Sequence, residues 1–316
     1  MPISAVSSIS SRQNEPAQIQ LLQAQRHLYG KAKRLVYLQL CLVLAVPVAA
    51  ASLAYLFPDS PLTAAIAFAA VVVSLVDVTV LDPHQRRTIL IAAKVQETFD
   101  CAVFQLPWDH LVAGARLERE LIHEAATAYK KKRGDAGLRD WYPTESSSVA
   151  LHFGRLICQR SALAYDSSLR RRYAAVVLTL PLIVLATLIL AGIANEATLQ
   201  SFILSVLLPL LPVAIWTLRE HGRQKEAAET NDELRMKIDD LLARMNDGTC
   251  DSTRASAEAR TVQSELFRGR KIKTPILGWV YQAMRKGLER RMRAVAEELV
   301  SSVEFQEAQS EPFGTS

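Results

Sequence analysis

Residues 174–195 read AAVVLTLPLIVLATLILAGIAN and residues 197–218 read ATLQSFILSVLLPLLPVAIWTL, with Glu196 the one charge between them. Each stretch is 22 residues long. At 1.5 Å per residue, about 20 helical residues cross the roughly 30 Å hydrocarbon core of a bilayer. The connector Asn195-Glu196 is turn-sized, so the pair reads as a helical hairpin. Two more uncharged windows lie upstream. Leu35 to Pro58 holds 24 residues, and Ser60 to Val76 holds 17, with Asp77 separating it from Val78 to Leu81. Pro58-Asp59-Ser60 joins these two into another hairpin. The first window is no signal peptide: it starts at residue 35 and is followed at once by a second apolar stretch.

Charge segregates around these windows. Of the 37 Lys and Arg, 5 precede the first window, 15 lie between the hairpins and 17 follow the last window. Neither turn carries any. Basic residues mark the cytoplasmic side of a membrane protein, so both turns are expected to face out. The predicted fold is therefore all-α: a polytopic membrane protein with four transmembrane helices in two hairpins and helical cytoplasmic regions. Residues 1–34 form a cytoplasmic segment and helix, 35–81 the first hairpin and 82–172 a cytoplasmic middle segment. Residues 173–218 form the second hairpin, and 219–316 a cytoplasmic region ending in a disordered tail. Cys101, Cys158 and Cys250 then sit in a reducing compartment, which argues against disulfides. No cysteine or histidine pair has metal-ligand spacing, so no metal is expected.

The cytoplasmic parts read as helices in pieces. Residues 1–16 are Ser-rich and read as disordered. Helices are predicted over Gln18–Arg34, His84–Phe104, Leu117–Arg133 and Ser148–Tyr165. Leu106-Pro107 ends the second of these, because the residue before proline avoids the helical region. Asp166-Ser167 is expected to cap a new helix running through Arg170, Arg171 and Arg172 into the third window. After Arg219 a helix to Asn246 carries a weak heptad seam at Ala227, Asn231, Leu234, Ile238, Leu241 and Met245. It serves either to pair protomers or to pack on the middle segment. A further helix is predicted over Ala257–Arg268. Thr274-Pro275 is then expected to open a long helix to Gln306, with proline at its first position.

No catalytic constellation is visible: there is no nucleophile elbow, Walker sequence or kinase set. An enzyme is not expected, and neither is a cofactor. Asp77 lies near the cytoplasmic end of the second window. It reads either as a pore-lining or gating carboxylate or as an interfacial residue capped by Arg86, Arg87 or another helix. Pro209 and Pro212 interrupt the fourth window, and kinked helices suit a bundle that rearranges. Arg268 to Arg293 holds nine Lys/Arg against one acid, Glu289. This reads as lipid adhesion or as an anion site. Trp141 and Tyr142 with Arg155 and Arg160, together with Arg170 and Arg171, are the candidate ligand contacts: arginine for phosphates, rings for stacked bases. A nucleic-acid polymer is not expected as a partner, since cations just inside a membrane already have a use.

Several blocks, taken in order, carry a resemblance. They are Leu22-Gln23-Ala24-Gln25-Arg26-His27-Leu28-Tyr29 with Ala32-Lys33, then Ala93 to Cys101 with Leu106-Pro107-Trp108. Asp140-Trp141-Tyr142-Pro143, Arg155 to Arg160 and Asp166 to Tyr173 follow. With the four windows, this set resembles the SMODS-associated four-transmembrane effector family over residues 12 to 305. The resemblance implies a bacterial anti-phage (CBASS-type) effector of the inner membrane. Its expected partners are membrane lipids, a cyclic oligonucleotide second messenger and further copies of itself. The implied action is permeabilisation of the membrane and abortive infection. Two alternatives stay open: an ion channel gated by something else, and a membrane-anchored helical scaffold.

Overall fold

The computed structural model describes residues 8–56, 65, 68, 72–73, 75–135, 137–194, 198–203 and 208–310. Both short connectors between the uncharged windows lie outside the described residues. Ten α-helices are described: α1 (Ile9–Gln13), α2 (Pro16–Leu56), α3 (Asp82–Phe104), α4 (His110–Ala113), α5 (Arg119–Arg133), α6 (Leu151–Ala194), α7 (Leu199–Phe202), α8 (Leu208–Asn246), α9 (Ser252–Ile272) and α10 (Gly278–Ser310). A π turn at Asp77–Leu81 leads into α3, and a 3-10 turn spans Thr144–Ser147. Among the described residues there is no strand, so the all-helical expectation holds. Among them, too, no helix is long and apolar enough to cross a membrane.

Local chemistry sets the helix ends. α3 stops where Gln105 takes a left-handed conformation (φ 52°) and the Leu106 N–H returns to the Cys101 carbonyl at 2.9 Å. Asp109 then caps α4 by accepting from the Leu111 and Val112 amides. Asp251 caps α9 by accepting from the Arg254 amide at 2.7 Å. Gly154 lets the 3-10 turn press on α6: a Cβ there would stand 2.5 Å from the Ser146 carbonyl oxygen.

α2 packs on α3 and α5, α6 packs on α8 and α10, and α9 lies across α3 and α6. The main core gathers Leu22, Phe99, Leu156, Ile157 and Phe267, all essentially inaccessible. Two charged clusters thread this core. In the first, Glu97 and Asp100 on α3 meet Arg260, Gln263 and Arg270 on α9, and the Tyr142 hydroxyl donates to Asp100 at 2.7 Å. In the second, Asp166 on α6 accepts from Arg170, from Asn231 on α8 and from Lys273. Burial alone would raise the Asp166 carboxyl, but Arg170, Lys273 and Asn231 outweigh it and hold the group below the usual carboxylate range.

Three expectations change, and one open alternative is resolved. α6 runs unbroken through Asp166, which pairs across helices instead of capping one. Residues 9–13 are helical, because Ile9 is buried in the main core and Ser8 caps the turn. α10 starts three residues after Pro275, so proline precedes the helix. The seam on α8 packs on the middle segment: Ile238, Leu241 and Met245 join the core shared with Leu156 and Ile157.

Candidate functional site

A cavity of about 550 Å³ opens between α2, the last turn of α5 and the first turn of α10. On α2 the spacing of three and four residues puts Arg26, Tyr29, Gly30, Lys33 and Tyr37 on one face. The end of α5 adds Tyr129, Lys132 and Arg133, and α10 adds Trp279, Tyr281 and Gln282. Fifteen residues line it; five are Lys or Arg, five are aromatic and none is acidic. Gly30 keeps the middle of the wall open: a Cβ there would meet nothing within 4 Å.

The five cations have no carboxylate partner among the described residues. Aromatic faces take up part of the charge. The Arg26 guanidinium stands 5.0 Å from the Trp141 ring centroid, and the Lys33 ammonium 5.0 Å from that of Tyr281. Burial, then Arg26 and Arg133, lower the Lys33 ammonium below its ordinary value. His27 is lowered by burial and then by Arg34, Lys132 and Lys31, with Glu124 opposing. The positive end of α10 also points here. A helix C-terminus such as that of α5 attracts cations on its own account. That explains Lys130 and Lys131, but not why Lys132 and Arg133 face three more cations across a gap. Cations clustered in this way beside aromatic rings offer a surface on which an anion would relieve the repulsion and a flat group could stack.

The residues singled out from sequence are dispersed by comparison. Trp141 reaches the cavity through Arg26. Tyr142 is buried, stacked near Phe99 (centroids 6.1 Å apart) and bonded to Asp100. Arg155 is buried and donates to the carbonyls of Phe104 and Gln105 and to Ser256 Oγ, which closes the end of α3. Arg160 pairs with Asp239 on α8, and Arg171 with Asp232. Arg170 bonds Asp166 and Gln224 and does not line the cavity. Asp77 accepts from Gln39 of α2 at 2.8 Å, while Arg86 pairs with Asp82. Pro209 and Pro212 fall in the opening turns of α8, and their side chains lie outside the described residues. Sequence reasoning missed Arg26, Lys33, Lys132 and Tyr281 as a group. The run Lys130–Arg133 was the visible signal, but its partners are about 100 residues upstream and 150 downstream.

The profile of the SMODS-associating 4TM effector domain matches residues 7–299. A probable CBASS effector molecule of Bacillus cereus strain VD146 is 25% identical over 278 residues, which covers 85% of this chain and 90% of that relative. No solved structure matches the chain significantly.

Proposed function

The chain belongs to the SMODS-associating 4TM effector family, and from that premise we propose that it is a cyclic-oligonucleotide-activated membrane effector of anti-phage defence. The cavity between α2, α5 and α10 receives the nucleotide. The observation that carries this reading is a cavity lined by five cations and five aromatic rings and by no acid, the cations having no carboxylate partner among the described residues.

Membrane residence is supported by an inverted surface. Leu75, Val78, Ile183, Leu190, Ile193, Leu211 and Leu218 are 53–71% exposed, and all fall in or beside the uncharged windows. Water does not tolerate so continuous an apolar surface, whereas lipid does. The middle and C-terminal regions, by contrast, build buried cores from residues such as Phe99, Phe104, Leu156, Ile157 and Phe267. The site is the inner membrane, with both termini on the cytoplasmic side.

The coupling is mechanical. α2 carries the cavity face at residues 26–37 and continues without a break into the first uncharged window. α10 is tied to the same helix by the Gly278 N–H, which donates to the Tyr37 hydroxyl at 2.7 Å. A nucleotide that drew α5 and α10 toward Lys33 would shift α2 and, with it, the first hairpin. It must bind the active arrangement more tightly than the resting one to do so. Assembly of several copies then permeabilises the bilayer along Asp77 and the proline-bearing helices.

Dye-filled vesicles containing the full chain test the reading against a panel of cyclic di- and trinucleotides. Leakage that appears only with one of these nucleotides is the expected result. Leakage without nucleotide would point to a differently gated channel. Absence of leakage and binding across the panel would leave a membrane-anchored scaffold.

A further inference from the structure

The depth at which the cavity lies assigns it a second occupant. The uncharged window begins at Leu35, directly after Lys33 and Arg34. α2 is a single helix there, so distance along it measures depth. Hydrocarbon accounts for ~30 Å of a bilayer whose full thickness is ~40–45 Å, leaving about 5–7 Å of headgroup on each face. At 1.5 Å per residue, Lys33 and Arg34 fall inside that layer, while Arg26 lies about 13 Å below the hydrocarbon edge. The far wall agrees. The Gly278–Tyr37 hydrogen bond pins the start of α10 to the same level. Tyr37 and Trp279, two amphipathic rings that favour the interface, are 40% and 55% exposed. The cavity therefore straddles two environments. Lys33, Arg34 and Trp279 face headgroups, and Arg26, His27 and Lys132 face the cytosol.

We propose that the membrane-side half of this cavity holds the phosphate of an anionic phospholipid headgroup, which a cyclic oligonucleotide must displace to bind. This rests on reading the cavity as the nucleotide site and the uncharged windows as membrane. A phosphodiester is common to both ligands, so one set of cations serves either. A nucleotide with two or more phosphates spans both halves; a lipid, held by its tails, reaches only the upper one. The lipid thus stabilises the resting arrangement, and its local abundance sets the nucleotide concentration at which the effector fires.

The full chain is assembled into nanodiscs of phosphatidylcholine alone or of mixed phosphatidylcholine and phosphatidylglycerol, and the lipids that remain bound are counted by native mass spectrometry. Wild type is expected to retain phosphatidylglycerol in preference to phosphatidylcholine. Lys33→Gln with Arg34→Gln is expected to lower that retention about tenfold or more, while Arg26→Gln leaves it in place. Arg34 is exposed, so Arg34→Gln alone serves if the double variant misfolds, with a smaller loss in the same direction. Retention without headgroup preference, or retention unchanged by these substitutions, overturns the proposal. Displacement of the lipid by inorganic phosphate at equal concentration overturns it too, since the site would then be one for free phosphate. Nucleotide binding is read separately, in phosphatidylcholine discs without anionic lipid. Failure there sinks the nucleotide reading and leaves the lipid result untouched, whereas failure of lipid retention leaves nucleotide binding to stand.

Discussion

Gly30 faces the cavity with no side chain and no neighbour within 4 Å of where one would start. Helical glycine costs roughly 0.5–1 kcal/mol relative to alanine, so a larger residue here should stabilise the fold while filling the site. Gly30→Leu is expected to raise the unfolding temperature or leave it unchanged, and to abolish nucleotide binding in a titration with the panel member that binds wild type. Loss of binding together with lowered stability would mean that the residue holds α2 against its neighbours instead of lining a ligand space. His27, on the same rim, supplies a pH test. Burial and then Arg34, Lys132 and Lys31 lower its pKa, with Glu124 opposing, so near neutral pH the ring is unprotonated. A bound polyanion offsets the surrounding cations and raises that pKa. Binding then takes up a proton, and by linkage the affinity rises as pH falls through the pKa of the bound form toward that of the free form. His27→Gln should flatten the profile; an unchanged slope would place the titrating group elsewhere. The sign for folding is opposite. A histidine with a depressed folded pKa contributes stability above its ordinary pKa near 6.5 and loses it as pH falls through the folded value.

At the scale of elements, the joint between α3 and α9 decides whether the cytoplasmic helices move as one body. Asp100 is fully buried and pairs with Arg270, whose positive form is favoured by that carboxylate despite burial. Removing one member of a buried pair strands the other, at a cost of about 3–5 kcal/mol, whereas replacing both is far cheaper. Arg270→Ala is expected to destabilise the chain by that amount in denaturant titrations, and Asp100→Asn with Arg270→Met by much less. Equal losses in the two variants would show that the pair is not the unit that matters. The same pair marks what sequence could and could not supply. The helices themselves were legible: apolar spacing of three and four marks the seam on α8, and Leu106-Pro107 ends α3 where a proline must. Asp166 was misread because Asp-Ser before a run of arginines has the form of an N-cap. Its partners Asn231 and Lys273 lie 65 and 107 residues downstream. The cavity failed for a related reason. Lys132, Lys33 and Tyr281 each sit on an unexceptional helix face, and only packing of α5 and α10 on α2 brings three faces together as one cationic wall. Trp141 and the arginines near it were chosen for chemistry alone. Of these, Arg155 and Arg160 are engaged in helix-to-helix bonds, which no local pattern encodes.

For the whole molecule, the decisive quantity is the side of the membrane on which charge resides. Every Lys and Arg lies outside the four windows and both connectors. Moving one such cluster through the bilayer is costly, since translocon scales put a basic residue at about 2.5–3.5 kcal/mol at the centre. Inserting Asp59 or Glu196 outward requires no basic residue to cross. On the proposed topology, α3 and the cavity share the compartment of the C-terminal region, where a cytosolic messenger would reach them. Single substitutions read this directly. Asp59→Cys and Glu196→Cys are expected to react with a membrane-impermeant maleimide on intact cells, and Lys131→Cys only after permeabilisation. The wild type is the blank: Cys101, Cys158 and Cys250 are buried, and Cys41, exposed within the first uncharged window, is shielded by lipid on the proposed topology. Labelling of Lys131→Cys from outside would place the cationic cavity beyond the reach of a cytosolic nucleotide, and both its proposed occupants would then have to be sought on the other face. Labelling of neither connector, with the chain recovered in the membrane fraction, would replace the hairpins by helices lying within one leaflet. In that case the exposed apolar belt would still contact lipid, but no change at α2 could open a path across the bilayer.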